Sequence, residues 1–562
     1  MADRGVPGSG PFVQHLTLWV AFLGAALAAR EGKLLSMATG EFFKGRLQAG
    51  ARIFAAAVAS ASSVLLMTGS WSMLSIDREF GTELAIGVPV WVAQLAMPIG
   101  FGLIALRLVS RAGDTWRARA GAASGLLVGG LVSLRPEWLE GLPGWPGLLL
   151  IIVAALAGGP IFAALGGAAA YLFLIEGIPV AAVAAESYRL SVSQTLPAIP
   201  LFTLIGFLLA KGQASQRLLR VFRGFFGWMP GGTAVVTTVL CAFFTVFTGG
   251  SGVTILALGA LLFQALRSDG YREQFSIGLL TASGSLGLLF APALPLILYG
   301  IVAQVPIREL FVGGLLPGVL LVVLMALWGV RQGWGGDVRR QPFAWREARA
   351  AAWAARWELL LPVVALVLIF GGFASLVEAA ALTALYTLLV VTVLHRELTF
   401  KQLSATFTEC AVLLGGVLVI LAVAMGLTNY LVDAEVPARI LEWSQENIES
   451  PLLFLLALNI FLLLVGCLMD IFSAIVVVVP LIVPLGVAFG IDPIHLGILF
   501  VANLELGYLT PPVGLNLFLA AYRFERPLMS VWRAALVPLA ILAVGVLLIT
   551  YFPPLTLALL GR

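Results

Sequence analysis

Gly466-Cys467-Leu468-Met469-Asp470-Ile471-Phe472-Ser473 places a carboxylate at the centre of an apolar run that descends through Leu452–Val465 and climbs back through Val476–Phe489. A charge in that setting is costly in hydrocarbon, and intramembrane acids persist where they have a task. The segment therefore reads as a hairpin that enters the membrane, turns at Asp470 and leaves on the same side. A second stretch has the same form. Thr248-Gly249-Gly250-Ser251-Gly252-Val253-Thr254 joins Thr233–Phe247 to Ile255–Gln264, and Thr233–Phe247 makes only about 22 Å of helix at 1.5 Å per residue. That is short of the roughly 30 Å hydrocarbon core.

A broken helix follows each hairpin. The first break is Gly287-Leu288-Leu289-Phe290-Ala291-Pro292-Ala293-Leu294-Pro295 and the second is Gly507-Tyr508-Leu509-Thr510-Pro511-Pro512-Val513-Gly514. Interrupting a helix at membrane depth frees main-chain groups that lipid cannot satisfy, so protein, water or a ligand must complete them. Carbonyls at half-helix C-termini suit a hard cation that prefers oxygen, together with hydroxyls such as Ser251, Thr254, Ser473 and Thr510. Half-helix N-termini suit a carboxylate. Asn503 and Asn516 flank the second break and are candidates to satisfy freed backbone or face substrate. Asp470 is a candidate organiser of its hairpin tip or near-site ligand, with a structural N-cap as the alternative. Glu505 lies one turn before the second break. Glu378 follows Gly371-Gly372 and reads as a helix cap.

The two hairpins belong to a duplication. Gly158-Gly159 opens a small-residue stretch, and Gly371-Gly372 opens a similar one 213 positions later. At an offset of 220, Gly206 matches Gly426, Ala282 matches Ala502, Leu286-Gly287 matches Leu506-Gly507 and Pro292 matches Pro512. Repeated helix interruptions of this kind mark a transporter built from two related halves. Charge sets the orientation of each half. Lys211, Arg217, Arg220 and Arg223 precede the first hairpin without an acid, and Arg331–Arg356 is rich in arginine, so both read as cytoplasmic. Asp433, Glu435, Glu442, Glu446 and Glu449 stand against Arg439 alone before the second hairpin, which reads as external. The halves are expected to be inverted.

The composition agrees. Of 562 residues, 60% are hydrophobic and 11% charged, with a mean hydropathy of +1.03, whereas a soluble domain carries about 25% charged residues. There is room for roughly fifteen membrane segments of about 20 residues. The formal charge of +4 fits helix-end Lys and Arg and calls for no nucleic acid. Cys241, Cys410 and Cys467 lack metal or disulfide spacing, and His15, His395 and His495 are isolated. No nucleophile–base set is visible, so an enzyme is not expected.

Three regions follow. Residues 1–110 form a small helical membrane domain with helices centred near Val20, Val58 and Gln94. Residues 111–143 are a connector carrying Arg111, Arg117 and Arg119 and a short helix ending near Leu134. Residues 144–562 are a large membrane domain whose repeats span about 144–330 and 358–550. Trp345–Trp357 reads as an amphipathic helix in the interface. The first helix has no cleavage pattern and reads as retained.

At these motifs the chain resembles the tripartite ATP-independent periplasmic (TRAP) transporters with fused small and large membrane subunits. The likeness rests on Pro197-Ala198-Ile199-Pro200-Leu201-Phe202 with Gly206, Gly231-Gly232, Gly250-Ser251-Gly252-Val253-Thr254, Gly466 with Met469-Asp470, Gly490-Ile491-Asp492-Pro493, and Thr510-Pro511-Pro512-Val513-Gly514-Leu515-Asn516. The small domain adds Gly24-Ala25-Ala26 with Arg30-Glu31-Gly32, and Trp91 through Pro98-Ile99-Gly100. The resemblance implies an all-α polytopic inner-membrane protein of inverted-repeat, elevator type, with two re-entrant hairpins and two discontinuous helices. It implies Na+-driven uptake of an organic acid handed over by a periplasmic substrate-binding protein, by a monomeric membrane unit. Carried over by position, Ser251, Gly252, Thr254 and Gly287 to Ala291 serve one sodium ion, while Met469, Ser473, Thr510 and Pro511 serve the other. Gly250, Asp470, Asn503, Pro512 and Asn516 fall to the substrate and transport path. A self-sufficient sodium/anion symporter of related design is the alternative. Two features depart from the family: Ala291-Pro292-Ala293 stands where Pro-Pro-Ser is usual, and the small domain shows three helices instead of four.

Overall fold

The computed structural model describes residues 8–36, 45–334, 342–448, 450–511 and 514–562, the side chain of residue 46 excepted. In chain order the helices begin with α1 Ser9–Glu31, α2 Gly45–Phe80, α3 Val90–Gln94, α4 Ala96–Arg111, α5 Trp116–Leu134, α6 Gly144–Leu156, α7 Ile161–Ile175 and α8 Ala181–Ser191. There follow α9 Ala198–Lys211, α10 Ala214–Phe226, α11 Gly232–Thr248, α12 Ser251–Ser268, α13 Glu273–Ser283, α14 Leu294–Ala303, α15 Ile307–Trp334, α16 Trp345–Ala354, α17 Arg356–Phe370 and α18 Leu376–Leu389. The last are α19 Phe400–Asp433, α20 Val436–Asn447, α21 Pro451–Leu468, α22 Ile471–Ala488, α23 Pro493–Gly507, α24 Leu515–Phe524, α25 Leu528–Tyr551 and α26 Pro554–Leu557. One small hairpin of two strands, Glu83–Ala85 with Val88–Pro89, departs from the expected all-helical chain.

Ten of the described helices are long and apolar enough to cross a membrane, or up to twelve if each of two bent pairs counts as one span. This is fewer than the roughly fifteen that length alone allows. Part of the apolar sequence forms shorter helices, such as α11, α14 and α23. Where the sequence reads an interface helix over Trp345–Trp357, α16 covers Trp345–Ala354 and meets α17 at a 64° bend. An equivalent bend of 78° separates α9 from α10. Helix α10 turns Leu218, Leu219 and Val221 inward and carries arginines on its other positions.

Two compact units result, and they do not follow chain order: one comprises Met1–Pro200 with Thr408–Ile440, the other Leu201–Phe407 with Leu441–Arg562. In the first, α2 is the central post against which α4, α5, α7 and α8 pack. Glycine permits the approach of α5. A Cβ on Gly125 would lie 1.9 Å from the carbonyl oxygen of Ala57, so the connector helix lies directly on α2. Gly24 and Gly415 similarly let α1 cross α19 backbone to backbone.

The second unit is organised by reciprocal exchange. The return arm of the first hairpin, α12, packs on α24, which follows the second break. The return arm of the second hairpin, α22, packs on α14, which follows the first break. Likewise α13 packs on α25, and α23 packs on α15. Helices before and after α16–α20 therefore complete one another, burying apolar faces that neither set could cover alone.

Candidate functional site

Both hairpin turns are tighter than the sequence suggests. Helix α11 runs through Thr248 and α12 starts at Ser251, leaving Gly249 and Gly250 as the whole turn. Gly249 makes this possible with φ 65°, in the left-handed region, where it caps α11. Its Cα faces Leu294 at the start of α14, so an added Cβ would sit 2.7 Å from the Leu294 Cβ. A Cβ on Gly287 would lie 2.3 Å from the Ala242 carbonyl oxygen. The first tip is thus pressed against the first break.

A buried oxygen cluster lies at that junction. Thr245 Oγ1 is 2.8 Å from Thr254 Oγ1 and 2.8 Å from the Gly284 carbonyl oxygen. Thr254 Oγ1 is 3.1 Å from Thr248 Oγ1, and the Thr248 hydroxyl donates to the Gly250 carbonyl at 3.4 Å. All three threonines are buried. Thr245 also lies 2.8 Å from the Cys241 carbonyl. One hydroxyl proton cannot serve both carbonyls, so the cluster holds spare acceptor capacity of the kind a hard cation uses. Of the residues named from sequence, Gly250, Ser251 and Thr254 lie at this tip, with Ser251 buried at the start of α12, and Gly252 packs against Leu519. Gly287 and Ala291 lie in the break itself. The Gly287 carbonyl is not left free, since it accepts the Phe290 N–H at 3.2 Å in a tight turn. The sequence reading missed Thr245, Thr248 and the Gly284 carbonyl. Threonine on a buried helix face gives no local sign of its partner.

At the second tip the turn is Met469-Asp470. Asp470 caps α22: its Oδ1 accepts the N–H groups of Phe472 and Ser473 at 3.0 and 3.1 Å, and Ser473 Oγ donates to Oδ2 at 2.5 Å. Capping residues satisfy donors that a helix start otherwise leaves unpaired. The Ile471 N–H donates to the Tyr508 hydroxyl at 2.5 Å, and Gly514 N–H donates to the Cys467 carbonyl at 3.2 Å. The second break thus holds the second tip from two directions. Thr510 turns its hydroxyl back to the Leu506 carbonyl at 2.9 Å, and Pro511 is exposed. Pro512 lies outside the described residues.

Asn516 joins α24, which follows the second break, to α13, which precedes the first. It is fully buried, donates to the Thr281 carbonyl of α13 at 3.2 Å, and leaves its Oδ1 without a partner among the described residues. Asn503 points elsewhere. Its amide donates to Asn459 Oδ1 at 2.7 Å, and Thr550 donates to the same oxygen at 3.2 Å, tying α23 to α21 and α25. Glu505 is buried with neither carboxylate oxygen hydrogen-bonded among the described residues. Glu378 pairs with Ser375 as a capping box. The three cysteines are free and buried, and no group of three or more His, Cys, Asp or Glu residues that could hold a metal occurs among the described residues.

Comparison with known families decides the class. The tripartite ATP-independent periplasmic transporter DctM component matches residues 148–555, and the DctQ component matches residues 3–118. The chain belongs to the TRAP transporters, with both membrane components in one polypeptide. It is therefore an inner-membrane transporter component and not an enzyme. It is 33% identical over 491 residues to the isethionate TRAP transporter permease protein DctMQ of Oleidesulfovibrio alaskensis, covering 84% of this chain and 75% of that one. It is 32% identical to the C4-dicarboxylate TRAP transporter large permease protein DctM of Vibrio cholerae, over 72% of this chain and 94% of that one. The ectoine TRAP transporter large permease protein TeaC of Halomonas elongata is 31% identical over 65% of this chain and 86% of its own. A solved structure of the Alcanivorax borkumensis YdaH transporter aligns with 64% of this chain and 86% of that one at 15% identity and a TM-score of 0.43.

Proposed function

We propose that this TRAP permease couples Na+ entry to the uptake of an organic acid delivered by a soluble periplasmic binding protein. Relatives named for isethionate, C4-dicarboxylates and ectoine support a small, polar organic solute. The observation that carries ion coupling is the buried cluster of Thr245, Thr248, Thr254 and the Gly284 carbonyl. It offers oxygens without a protein cation, in a chain with no nucleotide-binding loop to supply another drive. Each sodium entering down a potential contributes about 2.3 kcal/mol per 100 mV.

In this reading the hairpins are re-entrant from opposite faces, and the two repeats are inverted, as the basic approach to α11 and the acidic approach to α21 imply. One ion binds near Ser251, Gly252 and Thr254 beside the first break. A second binds near Met469 and Ser473 beside Thr510 and Pro511. The solute lies close to Asp470 and Asn516, and the hairpins with their broken helices move as an elevator. Residues 1–110 act as the small-subunit domain, 111–143 as the connector and 144–562 as the transport and scaffold domain, working as one membrane unit.

Reconstitution tests this. Proteoliposomes containing the full chain, supplied with its cognate periplasmic binding protein and the labelled organic acid that protein binds, are expected to take up solute under an inward Na+ gradient. Equal uptake when K+ replaces Na+ rejects sodium coupling. Undiminished uptake without the binding protein selects the self-sufficient symporter instead.

A further inference from the structure

The first compact unit carries a cleft lined by none of the candidate ion- or solute-site residues. Helix ends of α1, α2 and α4 and the turn between α6 and α7 border an open cleft of about 500 Å³, within the range of ligand-sized pockets. Its polar lining includes Arg52, Arg111 and Gln48, both arginines exposed; Ala55, Ala56 and Leu108 are among its apolar wall. Arg111 lies over Gly32, whose added Cβ would fall 3.6 Å from the guanidinium nitrogen. Neither Arg52 nor Arg111 has an ion-pair or hydrogen-bond partner among the described residues, whereas Lys33 is paired with Glu31 at 2.6 Å and Arg107 donates to the Ala26 carbonyl. The cavity therefore presents two unneutralised cations beside an apolar wall.

Charge also fixes which side of the membrane this is. Arg30, Lys33, Arg107, Arg117 and Arg119 cluster at the same helix ends with Glu31 and Asp114, while the opposite ends carry only Arg78 and Arg135 among Asp77, Glu79, Glu83, Glu137, Glu140 and Glu176. The basic end is cytoplasmic. From the cavity, α6 runs away with Ile152, Val153 and Leu156 exposed at 53%, 46% and 44%. An exposed apolar strip beginning at a basic cavity matches a molecule with an anionic head and hydrocarbon tails. Inorganic phosphate would satisfy the arginines but leave the apolar wall and strip without a role.

We propose that this cavity binds an anionic phospholipid of the cytoplasmic leaflet, its phosphate between Arg52 and Arg111 and its acyl chains along α6. Basic pockets between membrane helices on this side select anionic head groups, and a lipid held there would bridge α1, α2, α4 and the α6–α7 turn.

Native mass spectrometry of the full chain released from nanodiscs of phosphatidylethanolamine and phosphatidylglycerol tests the assignment. Wild type is expected to retain one phosphatidylglycerol, and the Arg52→Gln/Arg111→Gln double variant to weaken that retention by roughly thirtyfold. Arg117→Gln/Arg119→Gln, which alters the same end of the unit outside the cavity, is expected to retain it fully. Thermal unfolding of each variant confirms that the fold is intact. Equal retention of phosphatidylethanolamine by wild type, equal loss in both double variants, or no retained lipid at all overturns the proposal.

Discussion

Gly507, the last residue before the second break, touches Gly466, three residues before the second hairpin turn: a Cβ on Gly507 would lie 2.5 Å from the Gly466 Cα. No side chain fits between them. The contact is backbone to backbone, and the hydrogen bonds from Ile471 to Tyr508 and from Gly514 to Cys467 follow from that approach.

Gly507→Ala is therefore expected to force the hairpin off the broken helix. Overpacking of this kind costs about 1–3 kcal/mol, read as a lower thermal midpoint, together with loss of solute uptake. Gly130→Ala, where an added Cβ meets nothing within 4 Å, is the control. It should leave uptake unchanged and stabilise its helix by up to about 1 kcal/mol. Wild-type uptake by Gly507→Ala would show that the close contact is dispensable.

Asp470→Ala removes an N-cap that satisfies two backbone donors and the Ser473 hydroxyl. The expected loss is about 1–2 kcal/mol of stability, with uptake abolished. Asp470→Asn keeps an acceptor for the backbone donors and should recover most of the stability. Comparing melting curves with uptake for the two variants separates capping from transport, and wild-type-like uptake by Asp470→Ala would remove Asp470 from the mechanism.

Thr254→Val deletes the hydroxyl between Thr245 and Thr248 while preserving shape. A lost interaction with a charged partner is worth about 1.5–3 kcal/mol, so the Na+ concentration for half-maximal uptake should rise about tenfold or more. Thr254→Ser should restore it. Binding of Na+ measured calorimetrically on the purified protein checks both, and an unchanged sodium dependence in Thr254→Val would remove this cluster from the ion site.

Arg217 is a cation shared by two buried carboxylates. It donates to Glu358 at 2.5 Å and also bonds Glu397, with His395 3.4 Å from Glu358. Burial pushes the Glu397 carboxyl up, but hydrogen bonds from Arg217 and from the Gln213 N–H outweigh it and hold the group below the usual carboxylate range. A carboxyl depressed in the folded state contributes stability above its unfolded pKa of about 4.3, and that stability is lost as pH falls through the lower folded value. Wild type should therefore show no loss from this group between pH 8 and 5. Arg217→Gln strands both acids and should cost about 3–5 kcal/mol at neutral pH. Its melting temperature should rise on acidification toward pH 5, and a flat profile in the variant would contradict this account.

Much of the fold was legible because it is locally determined. Apolar runs give spans, Gly249-Gly250 after a helix too short to span makes a turn, Asp470 before Ile471-Phe472-Ser473 makes a cap, and Ser375 with Glu378 makes a capping box. Each depends on residues within a few positions of one another, and the family motifs lie at the same places. The composition of the site was not legible to the same degree. Thr245 reaches the Gly284 carbonyl across 39 positions, Asn516 reaches Thr281 across 235, and Asn503 turns to Asn459 instead of to the break it precedes.

Sequence alone thus determined a helical, polytopic membrane chain with helix-breaking turns at Gly249-Gly250 and Met469-Asp470. Tertiary structure decided which oxygens meet: α12 lies on α24 and α14 on α22, and that exchange sets the register between distant helices. Helix periodicity and turn chemistry act over one or two turns. The direction of a threonine or asparagine dipole is settled only when a partner distant in the sequence packs against it.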